Sequence, residues 1–191
     1  MKALVSIITV NYNGLRDTCE MIDSFRNHET YPHYEIIVVD NGSRLPETEE
    51  IQERYRSNLV PGGSLSGNPA SDNPVSFPPV KVVRNINNGF AGGNNAGLKA
   101  AGGDYLFFIN NDTLIKEPVL EALVRRMECD PQRNGGVSPM LKFAACPDIL
   151  QYAGFTPLSS LTLRNASIGF MQQDSPRFRT PCETAHCTEP P

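Results

Sequence analysis

An α/β fold, with a mostly parallel sheet flanked by helices, is predicted by three observations. Short runs rich in β-branched residues recur along the chain: Val5-Ser6-Ile7-Ile8-Thr9-Val10, Tyr34-Glu35-Ile36-Ile37-Val38-Val39, Val80-Lys81-Val82-Val83 and Tyr105-Leu106-Phe107-Phe108-Ile109. Between them lie stretches whose apolar residues fall at helical spacing. Three of the runs stop at polar clusters, Asn11-Tyr12-Asn13-Gly14, Asp40-Asn41-Gly42-Ser43 and Asn110-Asn111-Asp112. Successive strand-helix units imply right-handed crossovers and parallel neighbours. The polar stops therefore share one sheet edge, where open α/β folds bind ligands.

After the first strand, Leu15, Cys19, Met21, Ile22 and Phe25 mark the apolar face of a helix, leaving Arg16, Asp17, Glu20 and Asp23 to solvent. A weaker helix follows the second strand, carried by Ile51 and Tyr55 among Glu49, Glu50, Glu53 and Arg54. Residues 57–79 hold little that can be buried and many Gly, Pro, Ser and Asn, so a flexible surface insert is expected there. Beyond the third strand lies Arg84-Asn85-Ile86-Asn87-Asn88-Gly89-Phe90-Ala91-Gly92-Gly93-Asn94-Asn95-Ala96-Gly97. We read it as a glycine-rich turn, with Asn94 or Asn95 capping a helix through Leu98, Lys99, Ala100 and Ala101. A helix N-terminus is a natural phosphate site. Neither the dinucleotide G-x-G-x-x-G nor the P-loop Gly-Lys-Ser/Thr can be laid over this segment.

Asp112, at the end of the fourth strand, is a candidate metal ligand. The competing reading is an ordinary strand-to-helix turn, which Asn, Asp and Thr favour in any protein. Downstream, Leu120, Leu123, Val124 and Met127 form a stripe read as core, with Pro118 in a first helical turn. Gly135 to Leu141 reads as a strand near an edge because Pro139 has no donor. Ile149 to Tyr152 and Leu161 to Leu163 are short strand candidates, and residues 172–191 form a polar tail of doubtful order.

The 191 residues suit one domain with the beginning of a second lobe, and the net charge of −4 excludes a nonspecific nucleic-acid binder. No apolar run is long enough for a spanning helix, so a membrane role would be peripheral or lie outside this chain. Lys2 with the following apolar run faintly imitates a signal peptide, but Asn11-Tyr12-Asn13 cuts it short. The five cysteines, Cys19, Cys129, Cys146, Cys182 and Cys187, lack paired spacing, which fits a reducing compartment and a cytoplasmic location. Cys182, His186 and Cys187 match no recognised zinc pattern.

The segments Val5 to Asn13, Glu35 to Ser43, Asn88 to Gly97 and Gly103 to Asp112, taken in order, resemble the N-terminal half of family 2 glycosyltransferases. This is the inverting, Rossmann-like GT-A group, and the resemblance is to its rhamnosyltransferase-like branch. It implies a nucleotide-sugar-binding core over residues 1–145 and the start of an acceptor-side region over 146–191. By the same resemblance, Thr9, Val10, Asn11, Asn13 and Asp40 hold the base and ribose of a sugar nucleotide. Asn88, Gly89, Phe90 and Asn95 would lie beside the sugar diphosphate. Asn110, Asn111 and Asp112 occupy the place of the DxD motif, with Asp112 as ligand to Mg²⁺ or Mn²⁺. The implied partners are a UDP-, GDP- or dTDP-linked sugar, with a tilt toward dTDP-rhamnose, and a saccharide or lipid-linked acceptor in cell-surface polysaccharide synthesis.

Two positions depart from the family pattern. Asn110 replaces the first aspartate of DxD, and Asn94 stands where many relatives carry arginine. The Glu-Asp motif that supplies the general base is absent between Asp112 and Pro191, while Asp148, Asp174 and Glu183 occur in other contexts. A donor-binding fragment that stops before the acceptor-side region is complete, and that is inactive alone, is therefore expected. The alternatives are a sugar nucleotidyltransferase, which would need a glycine-rich basic signature after the first strand, and a noncatalytic α/β nucleotide-binding module.

Overall fold

The structure, a computed structural model, describes residues 2–56, 78–132 and 134–181. The predicted α/β class is what the chain adopts. Four strands, β1 (Val5–Asn11), β2 (Tyr34–Asp40), β3 (Val80–Arg84) and β4 (Tyr105–Phe108), form a parallel sheet in the order β3-β2-β1-β4. The central strands are the most apolar: every residue of β2 is buried, and so is all of β1 except Val10. The flanking strands are half exposed, and β4 leaves Leu106 and Phe108 at 41% and 40% accessibility. Among the described residues, β3 and β4 are the edge strands of the sheet.

Side chains alternate across the sheet. On one face lie α1 (Leu15–His28) and α2 (Glu47–Tyr55), the helices expected from periodicity. Phe25 of α1 meets Phe107 edge-on, with centroids 6.5 Å apart. The Tyr55 hydroxyl donates to the Cys19 carbonyl at 3.1 Å, joining α2 to α1. On the other face lies α3 (Gly89–Ala100), whose Ala96 and Ala100 pack against Ile8, Ile37 and Val39.

The glycine-rich turn read from the sequence is corrected here. That segment is helix: α3 begins at Gly89 with Asn88 as its N-cap, so neither Asn94 nor Asn95 caps it. The physical reason is closeness to the sheet. A Cβ on Gly97 would sit 2.5 Å from Ile8 Cγ2 and 3.1 Å from Val39 Cγ2, and one on Gly93 would sit 2.9 Å from Val10 Cγ1. Glycines four apart make a flat helix face that lies directly on β1 and β2, which repays their poor helix propensity.

A buried carboxylate inside the sheet is paired. Glu35 on β2 accepts from the Ser6 hydroxyl at 2.7 Å and the Gly102 N–H at 2.9 Å, and its other oxygen meets Lys81 Nζ at 2.6 Å. Burial pushes this carboxyl up, but Lys81, Gly102 and Ser6 outweigh burial and hold it below the usual carboxylate range.

The described chain forms two compact units, Met1–Leu120 and Glu121–Pro191. A boundary at residue 145, as read from the sequence, would part β5 (Leu141–Phe143) from its antiparallel partner β6 (Cys146–Tyr152). Helix α4 (Leu120–Cys129) carries the predicted stripe, with Leu120 and Val124 buried. Two strand expectations fail. Residues 135–140 make no strand, since the glycine pair and Pro139 do not support a ladder, and β5 begins only at Leu141. Leu161 to Leu163 form a turn, with Leu161 90% exposed. The tail is ordered further than expected: Pro176–Phe178 is a 3₁₀ turn, and the Asp174 N–H donates to the Asp148 carbonyl. The expected insert at 57–79 lies outside the described residues except Pro78 and Pro79. Pro79 already belongs to the sheet, its carbonyl accepting the Ile36 N–H at 3.0 Å. Cys182, Glu183, His186 and Cys187 also lie outside the described residues.

Two outcomes test this account. Gly97→Ala gains helix propensity but drives a methyl group into Ile8, so it should lower stability by about 1–3 kcal/mol, measured by urea unfolding. The pH test concerns Glu35. Its carboxyl titrates lower folded than unfolded, where the value is roughly 4.3. Its contribution is therefore complete above that value and is lost as pH falls through the folded pKa. Glu35→Gln should flatten this part of the acid limb of Tm against pH.

Candidate functional site

The parallel register brings the polar stops together. Asn11 pairs with Asp40, and Asp40 with Arg84. The β1-β4 pairing ends at Ile8 opposite Phe108. Beyond it, the turn after β4 comes close to the end of β1: a Cβ on Gly14, just past β1, would meet Asn111 Nδ2 at 2.7 Å. Glycine at this position leaves the space that the Asn111 side chain occupies.

Asp40 is 7% exposed and is bound on both oxygens. Oδ1 accepts the Ser43 N–H at 3.1 Å, closing the turn after β2, and Oδ2 accepts the Thr48 hydroxyl at 2.6 Å in the first turn of α2. Burial pushes the Asp40 carboxyl up, yet bonds from the Ser43 hydroxyl, Thr48, the Ser43 N–H and Asn11 hold it below the usual range.

Asn11 is fully buried and pairs completely: its Oδ1 accepts from Thr18, and its Nδ2 donates to Glu47 and Ser43. Asn13 adopts a left-handed φ of 53°, its N–H donating to the Ser43 hydroxyl and its Oδ1 accepting the Arg44 N–H. This locks the loop after β1 to the loop after β2. Thr9 is buried, and its hydroxyl is among the buried side-chain atoms without a hydrogen-bond partner. Val10 is spent on α3, against Gly93.

The entry to α3 is held by asparagines. Asn41 Nδ2 donates to the Gly89 carbonyl at 3.2 Å, and Asn85 Nδ2 donates at 2.8 Å to both Asn41 Oδ1 and Asn88 Oδ1. Gly89 takes φ 84°, the conformation glycine permits, and Phe90 remains 56% exposed beside it. Asn95 is exposed and lines a groove with Val83, Asn85, Asn88, Gly92 and Lys99 on the β3 side of the helix. Asn110, Asn111 and Asp112 form a turn closed by the Thr113 N–H on the Asn110 carbonyl at 3.1 Å, with Asp112 exposed. The turn reading and the site reading therefore describe the same residues. Among the described residues no group of three or more His, Cys, Asp or Glu side chains converges, so a metal at Asp112 would take amide, water and phosphate oxygens for the rest of its shell. That donor set suits Mg²⁺ or Mn²⁺, hard cations that accept one carboxylate plus substrate phosphates.

Sequence reasoning did not single out Thr18, Glu47, Thr48 or Asn85 as parts of this edge. No spacing rule identifies them, because α1 and α2 aim these side chains back at the strand ends only after packing. In the second unit, Asp174 is tied to Lys142 Nζ at 2.9 Å and Arg179 at 3.4 Å. The bond and charge of Lys142, with Arg179 adding, hold its carboxyl low against burial, which unfits it as a proton acceptor.

Comparison with known proteins accords with this geometry. An uncharacterized glycosyltransferase of Haemophilus influenzae is 26% identical over 132 residues, covering 69% of this chain and 37% of that protein. Glycosyltransferase GlyG of Streptococcus pneumoniae serotype 4 is 26% identical over 129 residues, covering 67% and 36%. The O-antigen biosynthesis protein RfbC of Myxococcus xanthus is 30% identical over 99 residues, 51% of this chain and 6% of its own. The matched stretch thus spans little more than a third of these curated relatives at most. The crystal structure of S. aureus TarS 1–349 superposes with a TM-score of 0.51 at 18% identity, over 84% of this chain and 42% of that one, and shares the GT-A fold. The model of the family described as glycosyl transferase family 2 matches residues 6–187, and the chain belongs to that family.

Proposed function

We propose that this chain carries the donor-binding part of an enzyme that transfers a sugar, with inversion, from a nucleotide-diphosphate sugar to a saccharide or lipid-linked acceptor in cell-surface polysaccharide synthesis. The observation that carries the reading is the polar edge of the sheet, where Asp40 pairs with Asn11, Asn111 reaches the end of β1, and Asn41 ties the turn after β2 to the start of α3. Family membership, a polysaccharide-related relative and the fold shared with TarS support it, as does the solved complex of TarS 1–349 with UDP-GlcNAc.

In this reading the loops after β1 and β2, cross-linked through Ser43, hold the nucleoside, with Asp40 as acceptor for base or ribose. The free N–H groups of the first turn of α3 face the diphosphate. Asp112 anchors Mg²⁺ or Mn²⁺, whose charge would offset that of the departing nucleoside diphosphate. Asp112 suits that role because it is exposed and carries no structural bond that binding would break. The resemblance to the rhamnosyltransferase-like branch favours dTDP-rhamnose among the donors. Asp174 is held by two cations and does not serve as acceptor base, and we read the chain alone as a binder without turnover.

Calorimetric titration of UDP, GDP and dTDP, each with and without Mn²⁺, tests the proposal. At least one nucleotide should bind more tightly with metal, and a folded chain that binds none of them would overturn the reading. Asp112→Asn should then remove most of the gain due to metal, roughly tenfold or more in affinity. Its Tm should stay within about one degree of the parent, as for an exposed residue outside the core.

A further inference from the structure

Four side chains from four elements form a continuous chain of hydrogen bonds beneath the polar edge. Asn111 Nδ2 donates to Thr18 Oγ1 at 3.1 Å, Thr18 Oγ1 donates to Asn11 Oδ1 at 2.8 Å, and Asn11 Nδ2 donates to Glu47 Oε2 at 2.8 Å. Thr18 and Asn11 are fully buried and Glu47 is 4% exposed, so water does not compete for these bonds. The chain links the turn after β4, through α1 and β1, to the first turn of α2.

The direction of the chain is set by chemistry. A carboxylate oxygen accepts, so Glu47 Oε2 takes the NH₂ of Asn11 and leaves the Asn11 oxygen facing Thr18. The threonine hydroxyl has one proton, spent on that oxygen, so it must accept from Asn111. Asn111 therefore turns its NH₂ toward Thr18 and keeps its carbonyl oxygen as its uncommitted group. Ser43, the other neighbour of Asn11 Nδ2 at 3.2 Å, is a hydroxyl that would serve either orientation. Glu47 dictates one, and the Asp40 carboxylate, which Asn11 also approaches, favours the same one. Asn41, which joins the same edge, bonds to Asn85 and Gly89 and takes no part in the relay.

We infer that Thr18 and Glu47 are positioning residues, which through a one-way relay present the oxygen of Asn111, and not its NH₂, beside Asp112. The inference deepens the donor-site reading and rests on it for its consequence: an amide oxygen next to Asp112 is a hard donor that suits a divalent cation or a donor hydroxyl, whereas an NH₂ group there would repel the cation. Replacing Glu47 by glutamine supplies a donor where only an acceptor stood. Asn11 can then flip, the Thr18 hydroxyl can reverse, and Asn111 can follow.

The side-chain amide signals of Asn11 and Asn111, assigned by ¹⁵N NMR in the full chain without nucleotide, decide the relay by themselves. Glu47→Gln should shift both signals, although Asn111 does not touch Glu47. Thr18→Val, which keeps the volume and removes the hydroxyl, should shift both, and Thr18→Ser should restore them. A Glu47→Gln spectrum in which Asn11 moves and Asn111 does not would overturn the relay. With Mg²⁺ and whichever nucleotide the parent chain binds, Glu47→Gln and Thr18→Val should each weaken metal-dependent affinity about tenfold, in line with other partners that orient a ligand. Thr18→Ser should bind like the parent. Unchanged affinity in Thr18→Val would refute the positioning role. A parent chain that binds no nucleotide would refute the donor-site reading instead, while the spectra still decide the relay.

Discussion

The parallel hydrogen bonding of β1 to a strand on each side is the constraint on which the rest depends. β1 pairs with β2 along its whole length and with β4 along its first four residues, so the register of both ladders is anchored on one strand. In a sheet buried on both faces, a slip of one residue would exchange Ile7 for Ile8 and carry Asn11 to the wrong face. The apolar demand of the core therefore holds the polar edge in place. Glu35, Ser6 and the Gly102 N–H reinforce the register from inside by pairing groups that would otherwise be buried alone.

The helices do more than cover the sheet. On one face, Gly93 and Gly97 bring α3 so close that its first turn stands level with the ends of β1 and β2. On the other face, α1 and α2 send Thr18, Glu47 and Thr48 back to the strand ends, where they meet Asn11 and Asp40. Most polar groups at the edge are thus satisfied before any ligand arrives. Asp112 stays exposed at the same edge.

In the second unit the same chemistry gives the opposite result. Asp174 sits between Lys142 and Arg179, and its carboxylate joins β5 to the chain near the 3₁₀ turn. Tyr152 and Phe155, with ring centroids 5.1 Å apart, are buried in the same unit. An acid engaged in this way fastens the unit and does not exchange protons near neutral pH.

Periodicity and composition determined the fold class, the four parallel strands, the helices α1, α2 and α4, and the gathering of Asn11, Asp40 and Asp112 at one edge. These follow from local rules: β-branched runs make strands, apolar residues three and four apart make helices, and successive βα units lie parallel. The glycine-rich segment was misread as a turn because glycine's intrinsic preference opposes helix, and only contact with Ile8, Val10 and Val39 reverses it. Likewise residues 135–140 find no strand to pair with among the described residues, where β4 also lies at an edge of the sheet. Tertiary structure alone decided that Asp40 spends bonds on Ser43 and Thr48, that Asn95 faces the β3 side, and that Thr18 and Glu47 stand behind Asn111. The reason is the same in each case. Which group a side chain meets depends on how two elements distant in sequence are set against each other, and sequence spacing carries information only along one element at a time.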